Sequence, residues 1–310
     1  MPNPVKQQPS TNGVVRRTTG FLSKAREIKA DIFVHMLLYG RNRVGKTTLA
    51  CQFPKPLLLV SCEMDATGGA QSVMKVPGVR QIKLGKGADC DLRTSDDMQA
   101  LGEELKASLD GYKTVVIDSG TALDEIVLAE VCGWEETANM IAVGHTRPGA
   151  KVSMDQYTER SERMRRRLRP FLDLKCHVVI TANEKDHNPQ EGSRKSSLSR
   201  SLHTESYFAA AMGGGTARWT QDGCNWLCQL YIEKEYKLVP VTIGKETSMQ
   251  EEETGRVIRK LRTGYHPNFA AGIRSPDSDA VPDSIDEPTW AKIEKVARGD
   301  KLTKTVTPTK

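Results

Sequence analysis

The chain reads as short apolar runs alternating with stretches of helical spacing. VHMLLYG is an apolar strand that ends in glycine, and residues 44–53 have helical composition and stop before Pro54. PLLLVSCE gives a second strand a few residues later. TSDDMQALGEELKASLDG opens on Ser and Asp, places Met98, Leu101 and Leu105 at helical spacing, and ends at Gly111. It leads into a third strand, YKTVVIDSG. A helix over 121–131 is expected next, then a polar stretch rich in Gly and Pro. Residues 155–174 predict a long helix with Met164, Leu168, Phe171 and Leu172 on one face, and CHVVITAN is a fourth strand. Alternation of this kind, with strands apolar on both faces, predicts an α/β fold: a mostly parallel sheet with helices on each side.

The pattern fails between 184 and 223, a stretch containing GSRKSSLSRS and AAAMGGGTA. It is far longer than the ~12–15 residues usual for a structureless loop, so it is either a mobile functional loop or disordered. Beyond it, CNWLCQLYIEKEYKLVPVTI and TGRVIRKLRTG predict further strands separated by an acidic turn, MQEEET. A Pro/Asp-rich linker, SPDSDAVPDSIDEP, precedes a last helix over 288–297. The expected organisation is a flexible tail (1–22), one α/β domain (23–274) with its long loop, a C-terminal linker and short helix (275–300), and a second tail (301–310).

Composition narrows this little. The 310 residues suffice for a sizeable core, and 38% apolar with 27% charged residues is ordinary for a folded protein. No apolar run approaches the ~20 residues that span a bilayer, and the N-terminus lacks the apolar stretch of a secretory signal. A cytoplasmic protein with no membrane partner is expected. The seven cysteines are odd in number and without repeated spacing, which suits small buried hydrophobes better than disulfides or zinc. A net charge of +6 permits a polyanionic partner without demanding one.

The chemistry enters at GRNRVGKT, which fits G-x-x-x-x-G-K-[ST] with a strand before it and a helix after. Gly40, Arg41, Asn42, Arg43, Val44 and Gly45 would curl backbone N–H groups around phosphate oxygens, and the chain continues through Lys46, Thr47 and Thr48. Lys46 would reach the β- and γ-phosphates of ATP and the Thr47 hydroxyl would ligate Mg²⁺. Asp118, closing TVVID, is the carboxylate expected to hold that magnesium through water; Ser119 and Thr121 compete with it as helix caps. Glu63 ends the second strand at the carboxyl edge of the sheet and is the candidate general base, with Asp65 behind it. Asn183 ends the fourth strand at the same edge, where it can sense the γ-phosphate and move the segment behind it.

A phosphate-loop strand, a strand ending in Glu, an apolar strand ending in Asp and a strand ending in an amide together resemble the RecA-like P-loop ATPase core. Typical AAA+ proteins carry the glutamate directly after the aspartate, where this sequence has Ser119. Within the group, VVIDSGTAL, HVVITANEKD and FAAGIRSPDSDAVP resemble phage-encoded P-loop ATPases related to single-strand-annealing and recombinase proteins, over roughly residues 30–300. The resemblance implies ATP hydrolysis with Mg²⁺ through Lys46, Thr47, Glu63 and Asp118. It implies a sensor amide at Asn183, assembly as a homo-oligomeric ring or filament, and action on single-stranded DNA. RVIRKLRTG resembles the strand that offers basic residues to a neighbour's nucleotide, which points to Lys260 and Arg262.

Two basic stretches bear on DNA directly. ERSERMRRRLRP, with Arg166 and Arg167 at its centre, can contact phosphates or equally be a solvated or subunit-facing surface. The long loop carries Arg194, Lys195 and Arg200 with no acid between Gly192 and His203, and Tyr207, Phe208 and Trp219 follow as possible stacking platforms. Over 184–222, however, acids balance bases, so charge alone does not decide. The alternative reading is a P-loop switch or assembly ATPase acting on a protein partner; a helicase or packaging motor is a third.

Overall fold

A computed structural model describes residues 32–62, 69–85, 89–134, 152–187, 207–243 and 246–302. In chain order the elements are β1 (His35–Gly40), α1 (Lys46–Ala50), β2 (Leu57–Ser61), a 3₁₀ turn (Gly69–Val73), β3 (Val79–Lys83), α2 (Ser95–Ala107), β4 (Thr114–Asp118) and α3 (Gly120–Val131). Then come α4 (Met154–Leu172), β5 (His177–His187), β6 (Tyr207–Ala210), α5 (Gly214–Gly223), β7 (Trp226–Ile243), β8 (Glu246–Arg262), β9 (Gly272–Ile273), β10 (Ser284–Asp286) and α6 (Trp290–Ala297).

The strands form one sheet in the order β10-β8-β7-β1-β5-β4-β2-β3, with β6 attached to β5 and β9 to β7. From β3 through β7 every neighbouring pair is parallel, and β8 and β10 are antiparallel additions. Alternation sends Leu37, Tyr39, Val115, Ile117, Val178 and Ile180 to one face, under Met98, Leu123, Leu168 and Phe171 of α2, α3 and α4. Met36, Leu38, Val116 and Val179 go to the other face, with Leu49 of α1 and Ile293 and Val296 of α6. Burial on both faces explains why these strands are continuous apolar runs. This is the α/β P-loop core that the alternation predicts, mostly parallel and extended by C-terminal strands.

Local chemistry sets several boundaries. Thr94 and Asp97 form a capping box at α2, and Ser153 and Gln156 form one at α4. The expected helix over 44–53 is shorter in the structure, because after Ala50 the bonds tighten to Gln52 N–H on Leu49 O and Phe53 N–H on Ala50 O ahead of Pro54.

Three expectations need correcting. Residues 188–206 of the stretch 184–223 lie outside the described residues, and the rest is not one loop: β5 runs on to His187, β6 pairs back onto it, and α5 closes the segment. Its glycines and small residues hid a hairpin whose partners are remote in sequence. MQEEET is not a turn but part of β8, paired with β7 from Pro240 to Tyr236. The Pro/Asp-rich linker contains β10, which pairs with β8, and Ile285 is buried in the core.

Candidate nucleotide site

β1 carries the chain to the carboxyl edge of the sheet and releases it into the phosphate loop. Two glycines are required there for different reasons. A Cβ on Gly40 would lie 2.2 Å from the Leu230 carbonyl oxygen of β7, so no side chain fits. Gly45 has φ +94°, a left-handed conformation that glycine adopts at no steric cost. Lys46 follows and its side chain folds back along the loop. Its Nζ donates to Gly40 O and Arg41 O, each at 3.0 Å, and to Asn183 Oδ1 at 3.2 Å. Arg41, Asn42 and Arg43 form the exposed rim, Val44 is buried beneath, and Thr48 lies half-buried in α1.

The sheet order decides what meets the loop. β5 lies between β1 and β4, with Asn183 in register with Gly40 and Ile180 with Ile117. Thr181 and Asn183 are two residues apart and therefore share a face. Thr181 Oγ1 donates to Asp118 Oδ1, while Asn183 reaches Lys46. Thr47 Oγ1 donates to the other Asp118 oxygen at 2.8 Å. Asp118 is 3% exposed, and these two hydroxyls satisfy a carboxylate that burial would otherwise penalise. The N-cap of α3 is Ser119, whose Oγ accepts from Ala122 N–H at 3.2 Å, so Asp118 is not used as a cap.

A magnesium–triphosphate fits this donor set. Mg²⁺ takes few protein ligands and completes its shell with phosphate oxygens and water, and the Thr47 hydroxyl beside Asp118 is such a pair. Among the described residues there is no cluster of three or more His, Cys, Asp or Glu that would hold a metal by itself. Lys46 and the loop N–H groups would supply the phosphate contacts; α1, with five residues, would add little dipole of its own.

The remaining candidates are placed as follows. Glu63 and Asp65 lie outside the described residues, as do Arg194, Lys195 and Arg200. β2 ends at Ser61, in register with Asp118, and Cys62 N–H donates to Asp118 O at 2.7 Å. Lys260 pairs within its own chain with Glu233 and, at 3.6 Å, with Asp286. Arg262 donates from Nε to Gln229 Oε1 at 3.0 Å and stacks on Tyr231 and Phe269, 4.7 and 4.8 Å from their ring centres. Arg166 is exposed and pairs with Glu162 at 3.6 Å. Arg167 corrects the sequence reading: it is buried, bound to Asp96, to Gln99 at 3.2 Å and to Ser95 at 3.3 Å. It shares the inward stripe of α4 with Met164, Leu168 and Phe171, and ties α4 to α2 instead of facing solvent.

Sequence reasoning passed over Thr181, Glu184, Gln229 and Arg259. Glu184 accepts from Gln229 Nε2 at 2.6 Å and lies 3.4 Å from Arg41 Nε, which links the loop to β7. Thr181 was detectable from its spacing to Asn183. Gln229 arrives from a strand far along the chain with no local signal, whereas Arg259 lies within RVIRKLRTG, beside Lys260.

The sequence matches the family described as AAA domain over residues 32–275. The chain belongs to that AAA-domain family. It is accordingly a nucleotide-binding P-loop ATPase domain, and the Lys46–Thr47–Asp118 constellation is where this family member would take its nucleotide. No curated protein sequence matches the chain. Among solved structures it is similar to the flagellar accessory protein FlaH from Methanocaldococcus jannaschii, at 11% identity, covering 83% of this chain and 88% of that one with a TM-score of 0.34. It is similar to a DnaB-like replicative helicase, solved to study its interactions with primase (12% identity, 78% of this chain, 59% of that one, TM-score 0.35). The RadB recombinase gives 11%, 74%, 79% and 0.32 for the same quantities. Likeness this distant says nothing of what the AAA-domain chain acts on. No helix among its described residues is long and apolar enough to cross a membrane.

Proposed function

We propose that this chain is an ATPase that acts on single-stranded DNA in phage-type recombination or annealing, in the cytoplasm of the host cell. The observation that carries this reading is the β5–β6 hairpin rooted beside Lys46. Asn183 touches Lys46 Nζ at 3.2 Å, and its carbonyl accepts from Ala211 N–H at 2.7 Å, so both arms of the hairpin start at the phosphate-binding lysine. The chain joining the two arms contains Arg194, Lys195 and Arg200. A phosphate that draws Lys46 away from Asn183 changes the footing of the hairpin and of the basic segment it carries. Guanidinium and ammonium groups on such a segment suit a DNA backbone, with affinity that falls as salt rises.

Assembly into a ring or filament belongs to the same proposal, with Lys260 and Arg262 offered to a neighbour's nucleotide. Each would exchange its intrachain partners for phosphate. Hydrolysis is assigned to water activated by Glu63, with Thr47 and Asp118 holding Mg²⁺ and Asn183 reporting the γ-phosphate. The competing reading, a switch that acts on a protein partner, is favoured by the β7–β8 ribbon, which exposes Ile232, Tyr236 and Val257.

The test is ATP hydrolysis by wild type, Lys46→Ala and Glu63→Gln, each with and without single-stranded DNA at two salt concentrations. Wild type should be stimulated by DNA and the stimulation should fade with salt, Lys46→Ala should lose nucleotide, and Glu63→Gln should bind without turnover. Equal rates with and without DNA, together with no salt-sensitive DNA binding, would sink the DNA reading. A fully active Glu63→Gln would remove that residue from its role while leaving the phosphate loop standing.

A further inference from the structure

Arg259 sits on β8 two residues before the buried Leu261, and therefore on the sheet face that α1 covers. β7 is parallel to β1 and β8 runs back against it, so the β8 residues ahead of Leu261 lie toward the phosphate-loop edge. There the guanidinium rests on Gly45: a Cβ built on that glycine would lie 3.2 Å from Arg259 Cζ and 3.4 Å from both Nε and Nη1. The backbone of Arg259 is clamped on the other side. Its N–H donates to Glu287 Oε1 at 3.0 Å, and Glu287 N–H donates to its carbonyl at 2.7 Å.

The side chain is not engaged in the same way. Its Nε is buried and has no hydrogen-bond partner among the described residues. Other cations of the same ribbon are committed, Lys260 to Glu233, Arg262 to Gln229 and Lys234 to Glu253. A buried guanidinium N–H without an acceptor is costly, and a phosphate oxygen is the acceptor its planar fork fits best.

We propose that Arg259 is a phosphate-contacting residue of this chain's own nucleotide site. It closes on a nucleoside di- or triphosphate from the β8 side, while Lys46 holds the same phosphates from the β5 side. Because Arg259 and Gly45 belong to one chain, the contact is made in cis and needs no neighbouring subunit, unlike the role assigned to Lys260 and Arg262. The inference rests on nucleotide binding at this loop, and not on the DNA reading.

Equilibrium binding of fluorescent ATP and ADP analogues to the full chain tests it, with wild type, Arg259→Ala and Arg259→Lys, alongside melting curves without nucleotide. Arg259→Ala should weaken both nucleotides about tenfold, about 1.4 kcal/mol. Arg259→Lys, which keeps the charge and loses the fork, should fall between, and the ligand-free melting temperatures should agree. Wild-type affinity in Arg259→Ala overturns the inference alone, as does an affinity loss that tracks a fall in ligand-free melting temperature. A wild type that binds neither nucleotide overturns the nucleotide reading and this inference with it. Mixing Arg259→Ala with Lys46→Ala chains should restore nothing, and recovery of tight binding in the mixture overturns the cis assignment.

Discussion

At the carboxyl ends of β1, β4 and β5, Lys46, Thr47, Asp118, Thr181 and Asn183 hold one another through hydrogen bonds. At the amino ends of β1 and β5 lie His35 and His177, and His177 packs against Phe53 and Trp290. There His177 Nδ1 accepts from Val34 N–H at 3.1 Å, and His35 Nε2 lies 3.1 Å from Cys176 O. Asn225 bridges His35 N–H and Phe33 O, at 2.8 and 2.7 Å. Trp290 packs 4.6 Å from Phe53 and 4.7 Å from His177, ring centre to ring centre. Burial, and then the neighbouring His35, pushes His177 down to about 4, so its imidazole is neutral near pH 7. One end thus buries neutral polar groups that complete each other, and the other buries an ammonium and a carboxylate that a ligand can take over. The first arrangement stabilises the fold, and the second stores binding capacity at the edge where parallel sheets form their sites.

Breaking the amino end should have the largest effect on stability. Phe53→Ala removes a ring that is 1% exposed and should cost about 3–5 kcal/mol in urea unfolding. Nucleotide affinity of the folded fraction should stay at the wild-type value; a matching loss of affinity would show that the two ends are not separable. Lys46→Ala should do the reverse. It should lower nucleotide affinity at least ~100-fold, about 2.7 kcal/mol, with little change in the unfolding midpoint.

The smallest effect sharpens the contrast through pH. His177 binds its proton less readily folded, at about 4, than at its ordinary 6.5, so the unfolded chain takes up more protons between those values. Its contribution to stability is complete above pH 6.5 and is lost as pH falls toward 4. Discounted for its partial exposure, the loss should be about 1–2 kcal/mol. Thermal melts from pH 7 to 4 should show this slope in wild type and a shallower one in His177→Gln, whose amide oxygen can still accept from Val34 N–H. An unchanged slope would mean that another group titrates in that window.

Much of this was legible in sequence because it depends on local pattern. Strand–helix alternation, GRNRVGKT and the Asp118 that ends an apolar strand needed only neighbours in the chain. The sequence reading failed where partners are remote. Arg167 reads as one of a run of surface arginines until α4 is packed against α2, when Asp96, Gln99 and Ser95 claim it. MQEEET reads as a turn until β7 is laid beside it, because charged residues on a two-stranded ribbon can pair with water on both sides. β6 is four residues of YFAA, and only its pairing with β5 makes it a strand.

By itself, then, the sequence determined the phosphate loop, the strand that delivers it and the aspartate one strand family away, since each is fixed by residue type and short spacing. The tertiary structure decided which groups converge on the loop. Inserting β5 between β1 and β4 brings Thr181 to Asp118 and Asn183 to Lys46, and folding β8 back along β7 lays Arg259 on Gly45. These meetings join residues separated by up to two hundred positions or more, for example Gly45 and Arg259. No local pattern encodes them, because they follow from strand order and register.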